Sequence, residues 1–415
     1  MAPRNDETTE LSAKEAAALL GVKLPTLYAY VSRGWVRSVP GPEGKARRYR
    51  KEDLERLKAR HDARSGHGPV AASALRWGEP VLDSAITSVA HGRLRYRGQD
   101  VVELAQGGAR FEEAAELLWT GTRPASPPTW RAEGLGFSAR TAASLLGQNA
   151  SPLLSLSLAV PAIAAADLSR FGASPEAELG RARTLLMRLA ASLALPHRPG
   201  DAEQALSAPS VAHAAAVAFG VKPTPARVRA LDLALLLIAD HELNASTFAA
   251  RVAASTGADL YACICAALAA LSGPLHGAAC DQVEALVAEV GRPERAAEAL
   301  HLRARRGEAI PHFGHPLYPS GDPRTPVLLE AAQGLAPKAL GVRTLRALVE
   351  AGREATGESP SADFGLVAVA LAAGLPAGSA AGLFALGRAA GWVAHTLEQR
   401  TMRFILRPRA RYVGP

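Results

Sequence analysis

The middle of the chain, from about residue 139 to residue 270, consists largely of alanine and leucine at helical spacing. Both residues are strong helix formers, and residues 181–189 have the pattern of an amphipathic helix. The 415 residues are 48% hydrophobic and only 5% aromatic. This is ample for a large core and too long for one ordinary domain. The sequence therefore predicts a mainly α protein of two or three domains.

The first part of the chain predicts a small domain of three helices and a basic strand. Ser12, followed three residues later by Glu15, forms a capping box at the start of the first helix, which Gly21 ends. Residues 24–31 predict the second helix, with a proline in its first turn. A short basic strand, or wing, at residues 47–50 leads into the third helix.

This order of elements resembles the DNA-binding domain of the MerR and excisionase type over about residues 10–60. Residues 24–64 hold eleven Lys and Arg against five Asp and Glu, a basic excess typical of nucleic-acid-binding surfaces. In such domains the second helix enters the major groove and basic residues contact phosphates. The resemblance implies double-stranded DNA as a partner and six contact residues, namely Thr26, Tyr28, Arg33, Arg47, Arg48 and Arg50. A protein-interaction or folding module with a solvated basic face is the alternative.

Composition divides the chain into three parts. Residues 1–60 form the helix-turn-helix domain, residues 61–72 have the composition of a flexible linker, and residues 73–415 form the main domain. Within the main domain, residues 82–89 alternate like a strand and residues 111–119 predict a helix.

Five short blocks in the C-terminal half hold residues suited to acid–base chemistry. In chain order they are Asp-His-Glu at 240–242, Pro-Leu-His-Gly at 274–277, Phe-Gly-His-Pro-Leu-Tyr at 313–318 with Asp-Pro-Arg at 322–324, Ala-Asp-Phe-Gly at 362–365, and Gly-Arg-Ala-Ala-Gly at 387–391. Arg-Pro-Arg follows at 407–409. Such a set suits carbon–carbon bond formation between an acyl thioester and a keto acid. The carboxylate removes a carbon-bound proton, histidines bind the two carbonyl oxygens, and arginines hold the carboxylates of the acid.

The order and spacing of these blocks resemble the citrate synthase family, bacterial type, from about Gly78 to the C-terminus. The resemblance implies an all-helical large domain and a small domain inserted at roughly residues 277–375, which close over the substrate. It implies an acyltransferase that condenses acetyl-CoA with oxaloacetate and water to give citrate and CoA. Acyl-CoA is then a co-substrate, and neither a permanently bound cofactor nor a metal is expected.

The resemblance assigns the chemical steps to three residues. Asp363 matches the base that deprotonates the acyl group, His276 supports the thioester oxygen, and His315 protonates the carbonyl of the keto acid. Asp363 directly precedes an apolar helix, and burial there would strengthen it as a base. The alternative from the residues alone is that Asp363 caps that helix.

Five further residues match substrate-binding positions of the family, namely His241, Asn244, Arg324, Arg388 and Arg407. A guanidinium grips a carboxylate with two hydrogen bonds, which lysine cannot do. In the family, the arginine at the position of Arg407 reaches the partner's site, which implies a homodimer with shared active sites.

Two departures from the family pattern bear on acyl-CoA binding and choice. Residues 316–319 carry no charge where the family often has a basic residue, and Cys280 stands in place of the usual asparagine. Propionyl-CoA as the donor, giving 2-methylcitrate, therefore stays open. A second alternative is a DNA-binding regulator that senses a keto acid, citrate or acyl-CoA through the C-terminal part.

The three cysteines lack the number and spacing of a disulfide framework or a metal site, which favours a reducing cytoplasm. The N-terminus lacks the apolar core of a signal peptide. Residues 364–387 include no charged residue, but a Gly-Leu-Pro-Ala-Gly run interrupts this apolar stretch. Two buried helices joined by a turn, and no membrane span, are therefore expected.

Overall fold

The computed structural model describes residues 10–40, 47–64, 82–147, 150–171, 174–410, 412 and 414. The chain divides into two compact units, Met1–Asp83 with Arg409–Pro415, and Ser84–Pro408. Each unit has a hydrophobic core of its own.

The first unit combines a three-stranded sheet with three helices. Its elements are β1 (Glu10–Ser12), α1 (Ala13–Leu20), α2 (Leu24–Ser32), β2 (Ser38–Pro40), β3 (Arg47–Arg50) and α3 (Lys51–Arg64). The strands are antiparallel in the order β1-β3-β2. The three predicted helices and the basic strand are confirmed. Since α3 runs to Arg64, residues 61–64 of the predicted linker are helical, and its remaining residues lie outside the described part of the chain.

Local signals in the sequence fix the ends of α1. The Ser12 side chain accepts a hydrogen bond from the Glu15 N–H while the Glu15 carboxylate accepts one from the Ser12 N–H, which confirms the predicted capping box. Gly21 ends the helix in the left-handed conformation, at φ 65°. The buried side chains of Leu27, Tyr49 and other apolar residues then bring the helices and the sheet together.

The second unit begins with a small antiparallel sheet. Its strands are β4 (Thr87–Ala90), β5 (Arg93–Tyr96) and β6 (Gln99–Asp100), in that order. The predicted strand at residues 82–89 is wrong in extent, because pairing starts only at Thr87, opposite Tyr96. The turn at His91 and Gly92 joins the two strands, and the turn at Arg97 and Gly98 ends β5 at Tyr96; all four residues have positive φ. The hairpin therefore has four paired residues on each strand.

The remainder of the second unit is helical in the described residues. Its helices are α4 (Val101–Gln106), α5 (Phe111–Thr120), α6 (Ala139–Leu146), α7 (Pro152–Ala166), α8 (Pro175–Ser192), α9 (Ala202–Leu206), α10 (Val211–Ala218), α11 (Pro225–Ile238), α12 (Ala245–Ser255), α13 (Leu260–Leu271), α14 (Ala279–Val290), α15 (Ala296–Arg305), α16 (Arg324–Leu335), α17 (Leu340–Thr356), α18 (Ala362–Ala373) and α19 (Ser379–Thr401). Short 3₁₀ turns occur at Pro199–Asp201 and Pro293–Arg295. The mainly α class and the helix at residues 111–119 are confirmed.

Helix α19 lies at the centre of this unit, with most of its residues buried. Gly387 and Gly391 allow the main chain at the end of α11 to approach it closely. A Cβ at Gly387 would lie 2.9 Å from the Leu235 carbonyl oxygen, and one at Gly391 would collide with the Asp240 carboxylate. The predicted pair of helices joined by a turn is confirmed as α18 and α19. Within the described residues, no helix is long and apolar enough to cross a membrane.

Candidate active site

Two loops that are distant in sequence are joined beside the cluster of predicted site residues. Phe313 pairs with Pro360 in an isolated antiparallel bridge. The Gly314 N–H donates to the Ser359 carbonyl oxygen at 2.9 Å, and the Ser361 N–H donates to the His312 carbonyl oxygen at 2.9 Å. The bridge therefore places the block that contains His315 next to the block that contains Asp363.

Asp363 lies half-buried in the first turn of α18, and both of its oxygens are held. Oδ1 accepts from the Cys280 thiol at 3.3 Å, and Oδ2 accepts from the Ser361 hydroxyl at 2.8 Å. Ser361, not Asp363, occupies the N-cap position of α18. The alternative reading of Asp363 as the N-cap residue is therefore wrong, and its carboxylate faces other side chains instead.

His276 lies in the loop between α13 and α14 and is kept neutral. Its Nε2 is 2.8 Å from the Ser246 hydroxyl, which also accepts from the Trp392 indole N–H at 3.1 Å. The His276 ring meets Phe384 edge to face. Burial, reinforced by the charge of Arg388, lowers the pKa of His276 to about 4. At neutral pH this side chain is an uncharged imidazole with Nε2 engaged inside the protein.

His241 follows the C-terminal end of α11 and is buried. Its Nε2 lies 2.8 Å from the Tyr318 hydroxyl, and its ring meets that of His315 edge to face at a centroid distance of 5.4 Å. Burial holds the pKa of His241 well below its usual value, and the positive charges of Arg324 and Arg388 add to the effect. This imidazole is also neutral.

His315 has its proton on Nε2 when it is neutral, because its Nδ1 accepts a hydrogen bond from the Leu317 N–H at 3.2 Å. Burial lowers the pKa of His315, as does the charge of Arg324, while Asp322 and Asp363 oppose them. The three predicted histidines therefore surround one region as neutral hydrogen-bonding groups.

Arg324 is a buried cation, and one of its N–H groups has no hydrogen-bond partner among the described residues. Its Nε and Nη2 form a bidentate salt bridge with the Asp322 carboxylate, at 2.9 and 2.6 Å. Burial opposes its charge, but Asp322 holds the pKa of Arg324 above its usual value. Nη1 is buried, and the described residues supply no hydrogen-bond partner for it. Because an unpaired buried donor is costly, this N–H group is suited to an anionic ligand.

Arg388 projects from α19 into the same region. Its Nε donates to the Ile238 carbonyl oxygen at 2.8 Å, and its guanidinium lies 4.8 Å from the centroid of Phe384. Burial lowers the pKa of Arg388 to about 10, so it stays charged at neutral pH. Its charge acts on His241, His276 and Asp363. The cluster therefore combines two buried cations, three neutral imidazoles and one carboxylate.

Two predicted substrate-binding residues are placed differently from the rest. Asn244 is the N-cap of α12, and its side-chain oxygen accepts from the Thr247 N–H and the Ser246 hydroxyl. Its amide nitrogen donates to the His241 carbonyl oxygen. Asn244 therefore supports the main chain at His241. Arg407 is exposed in the segment that follows α19.

Four further side chains belong to the cluster although no role was predicted for them, namely Ser246, Tyr318, Asp322 and Trp392. Ser246 contacts His276, and Trp392 contacts Ser246. These residues are distant in sequence, so no local pattern indicates them. Tyr318 and Asp322, however, lie between His315 and Arg324 in the sequence, and this proximity to two predicted site residues is a usable signal. In the described part of the chain, no group of three or more His, Cys, Asp or Glu is arranged to hold a metal ion.

The first unit presents the residues predicted to contact DNA on α2, at the C-terminal end of α2 and on β3. Tyr28, Arg33, Arg47 and Arg50 are exposed, and the Arg33 guanidinium lies 5.5 Å from the Trp35 ring. Thr26 and Arg48 are partly buried, and Arg48 also donates to the Glu10 carbonyl oxygen at 3.4 Å.

Comparison with known protein families gives two matches. A model described as citrate synthase, C-terminal domain, matches residues 74–409, and a helix-turn-helix domain model matches residues 10–62.

Individual proteins agree with the first match. The chain is 33% identical to the citrate synthase of Mycolicibacterium smegmatis, over 77% of this chain and 89% of that protein. It is 32% identical to a 2-methylcitrate synthase of Mycobacterium tuberculosis, over 77% of this chain and 84% of that protein. A citrate synthase of Thermoplasma acidophilum, solved with carboxymethyl coenzyme A and oxaloacetate, superimposes with a TM-score of 0.70 at 28% identity and covers 81% of this chain and 94% of that one.

Proposed function

Because the chain belongs to the citrate synthase family, we propose that the cluster of His241, His276, His315, Asp363, Arg324 and Arg388 is its active site. The protein is an acyltransferase that condenses an acyl-CoA co-substrate with oxaloacetate. The observation that carries the assignment of the site is a half-buried carboxylate, Asp363, whose charge acts on the neutral imidazole of His276.

The first step forms a carbon nucleophile from the acyl-CoA. A carboxylate oxygen of Asp363 takes a proton from the carbon beside the thioester carbonyl, so that a C–H bond breaks and an O–H bond forms. The neutral His276 stabilises the developing negative charge on the thioester oxygen. Because its Nε2 is 2.8 Å from the Ser246 hydroxyl, Nδ1 is the ring nitrogen that meets the substrate. It donates to the thioester oxygen in the tautomer with the proton on Nδ1, in which the Ser246 hydroxyl turns from Asn244 and donates to Nε2.

The second step joins this carbon to the carbonyl carbon of oxaloacetate. His315 carries its proton on Nε2 and donates it to the carbonyl oxygen as that oxygen becomes an alkoxide. His241 hydrogen-bonds the same acid. Arg324 and Arg388 hold its carboxylates, and the open Nη1 of Arg324 is the group that supports this role. Water then cleaves the thioester and releases CoA.

Thiol release tests the assignment of the site. Purified protein is mixed with oxaloacetate and acetyl-CoA, and the loss of the thioester is followed with wild type and with Asp363→Asn. Release that requires both substrates and falls by about 10²–10⁴-fold in the variant is expected, since this is what a positioned base contributes. Full activity of Asp363→Asn would remove Asp363 from the role of base.

Acetyl-CoA is the proposed donor, which would place the product citrate in the tricarboxylic acid cycle. The same assay with propionyl-CoA tests the alternative, because the chain is similar to both citrate and 2-methylcitrate synthases. A kcat/KM that is higher for propionyl-CoA than for acetyl-CoA would reverse the choice.

The three free cysteines support the predicted location in a reducing cytoplasm.

The partner of the second unit is a second copy of the chain. Helix α7 carries apolar residues on its outer side, including Leu154, which is 51% exposed, and the segment after α7 adds Leu168 and Phe171 at 88% and 67%. Helix α13, which packs against α7, exposes Ala262 and Ala269. An apolar surface of this extent is typical of an interface. Light scattering is expected to give a dimer for wild type and a smaller species for Leu154→Asp, and a monomeric wild type would refute the proposal.

Mixed dimers test whether Arg407 acts in the partner's site. Asp363→Asn and Arg407→Ala are each expected to be nearly inactive alone. In a mixed dimer, one of the two sites receives an intact Asp363 from one subunit and an intact Arg407 from the other. Activity should therefore return when the two variants are unfolded and refolded together. No recovery in a proven mixed dimer would assign Arg407 to its own subunit.

The first unit is a MerR-like domain that binds double-stranded DNA. The match to a helix-turn-helix model and the exposed Tyr28, Arg33, Arg47 and Arg50 support this role. Binding should weaken with rising salt because counterions are released from DNA. Arg33→Ala combined with Arg50→Ala should weaken binding, whereas the exposed Arg305→Ala in the second unit serves as a control. No duplex binding by wild type at low salt would refute the proposal.

The alternative of a regulator without turnover is not favoured, because the relatives and structures most similar to the second unit are enzymes. Closure of a small domain at residues 277–375 over a large domain stays a prediction. Small-angle scattering with and without oxaloacetate would detect such a change.

A further inference from the structure

Cys280 is the neighbour of Asp363 that distinguishes this cluster. It lies in the first turn of α14, one turn after His276, and is fully buried. Its Sγ is 3.3 Å from Oδ1 of Asp363, a normal length for an S–H group that donates to oxygen. The other carboxylate oxygen accepts from Ser361. The base is therefore held between a hydroxyl donor and a thiol donor.

The direction of the hydrogen bond to Cys280 is fixed by its surroundings. Burial raises the pKa of the Cys280 thiol well above its usual value, and the charge of Asp363 raises it further. The sulfur therefore keeps its proton at neutral pH, and it donates to the carboxylate. A thiol is a weak donor, so it stabilises the charged carboxylate less than a hydroxyl or an amide would.

We propose that Cys280 is a positioning residue that orients the Asp363 carboxylate and, as a weak donor, keeps it a strong base for removal of the acyl-CoA proton. This inference rests on the proposed role of Asp363 in the condensation. Hydrogen bonds to the charged form of a carboxylate favour that form and make it a weaker base. A stronger donor at position 280 would therefore weaken the base, and the absence of a donor would strengthen it.

Other groups act on Asp363, and they are constant across the variants that test the proposal. In the described part of the chain, the charged or titratable groups that face it besides Cys280 are Arg388 from α19, His276 from the loop before α14, and His315 from the bridged loop. Because none of these is altered by a change at Cys280, differences between variants report the donor at that position.

The test compares Cys280→Ser and Cys280→Ala with wild type in the full-length protein. The quantity measured is kcat/KM for acetyl-CoA at saturating oxaloacetate between about pH 3.5 and 9, a range that includes the ordinary titration range of a carboxylate, from the loss of thioester absorbance. Serine supplies a stronger donor, so the acidic limb of the profile should move to lower pH by about half a unit. Alanine removes the donor, so the same limb should move to higher pH by a similar amount. Opposite shifts support the proposal.

Coincident profiles, or shifts of both variants in one direction, would overturn it, since a packing effect has no reason to reverse sign between serine and alanine. Cys263→Ser and Cys263→Ala are the matched controls. Cys263 is equally buried, on α13, and its thiol contacts the Ala258 carbonyl oxygen at 3.7 Å, so its variants should retain the wild-type profile. Asp363→Asn distinguishes a failure of the proposed function from a failure of the proposed role of Cys280. If it is inactive while the Cys280 profiles coincide, the proposed function stands and the role of Cys280 fails.

Discussion

Glu112 in α5 is a buried carboxyl group whose ionisation works against the fold, and this leads to a prediction about stability. Its Oε1 accepts from the Val211 N–H at 2.7 Å, and it is 2% exposed. Burial raises the pKa of Glu112 from 4.5 to about 7, with a further contribution from the nearby Asp232. Replacement by glutamine keeps an oxygen acceptor for Val211 and removes the charge.

The sign and size of the effect follow from the two pKa values. A raised pKa means that the folded state binds a proton which the unfolded state has already lost, so stability is full below about pH 4.5 and falls as the pH rises through 7. At 1.36 kcal/mol for each pKa unit, a shift of about 2.5 units costs wild type about 3 kcal/mol at pH 8, but only about 1 kcal/mol at pH 5. Glu112→Gln should therefore be more stable than wild type, and its advantage should grow with pH.

Urea unfolding at pH 5 and pH 8 measures this difference. Tryptophan fluorescence is a suitable signal, because Trp119 and Trp130 stack on each other close to α5 at a centroid distance of 5.3 Å. Glu113→Gln is the control. Glu113 is also buried but pairs with Arg123 at 3.1 Å, so its loss should bring no gain at pH 8. An advantage of Glu112→Gln that is equal at both pH values, or a loss of stability at pH 8, would show that ionisation of Glu112 does not destabilise the folded state.

Three further predictions concern other parts of the molecule. Arg324→Lys keeps a charge but loses the two-bonded pair with Asp322 and the open Nη1, so the KM for oxaloacetate should rise about tenfold or more, and an unchanged KM would contradict the proposed role. Gly391→Ala places a Cβ against Asp240 and 2.5 Å from the Ala239 carbonyl oxygen, so the free energy of unfolding from urea titration should fall by about 3 kcal/mol or more, whereas Gly334→Ala in α16, with open space around it, should not lower it. Ser12→Ala removes the cap of α1 and should cost about 1 kcal/mol, seen as faster amide exchange in its first turn, and unchanged exchange would deny the cap any contribution.

Helix ends and the identity of the cluster residues could be predicted from sequence because their signals are local. The Ser12 and Glu15 pair, Gly21, and the Gly-rich break between α18 and α19 act within one turn of chain. The prediction for residues 82–89 and the alternative of Asp363 as a helix cap were wrong for local reasons as well. The turn at Arg97 and Gly98 ends β5 at Tyr96, so the ladder begins only at Thr87. Ser361 took the cap position that Asp363 could also have filled.

The contacts that give the cluster its properties are long-range and could not be predicted. The neutrality of His276 depends on its burial and on the charge of Arg388. Its contacts Phe384 and Ser246 come from other helices. In the same way, the partnership of Cys280 and Asp363 joins residues on α14 and α18. A sequence motif specifies which groups are present, whereas their charge states are set by burial in the folded unit.

The hydrophobic cores of the two units differ greatly in size, so the two units should differ in their thermal unfolding. A small core supports only a small enthalpy and heat capacity of unfolding, because both scale with the number of residues that fold together. Scanning calorimetry should therefore resolve a broad, weak transition for the first unit and a sharp, large one for the second, so that a single melting temperature does not describe this chain. Where the first transition comes earlier, warming would abolish the proposed DNA binding while condensation continues.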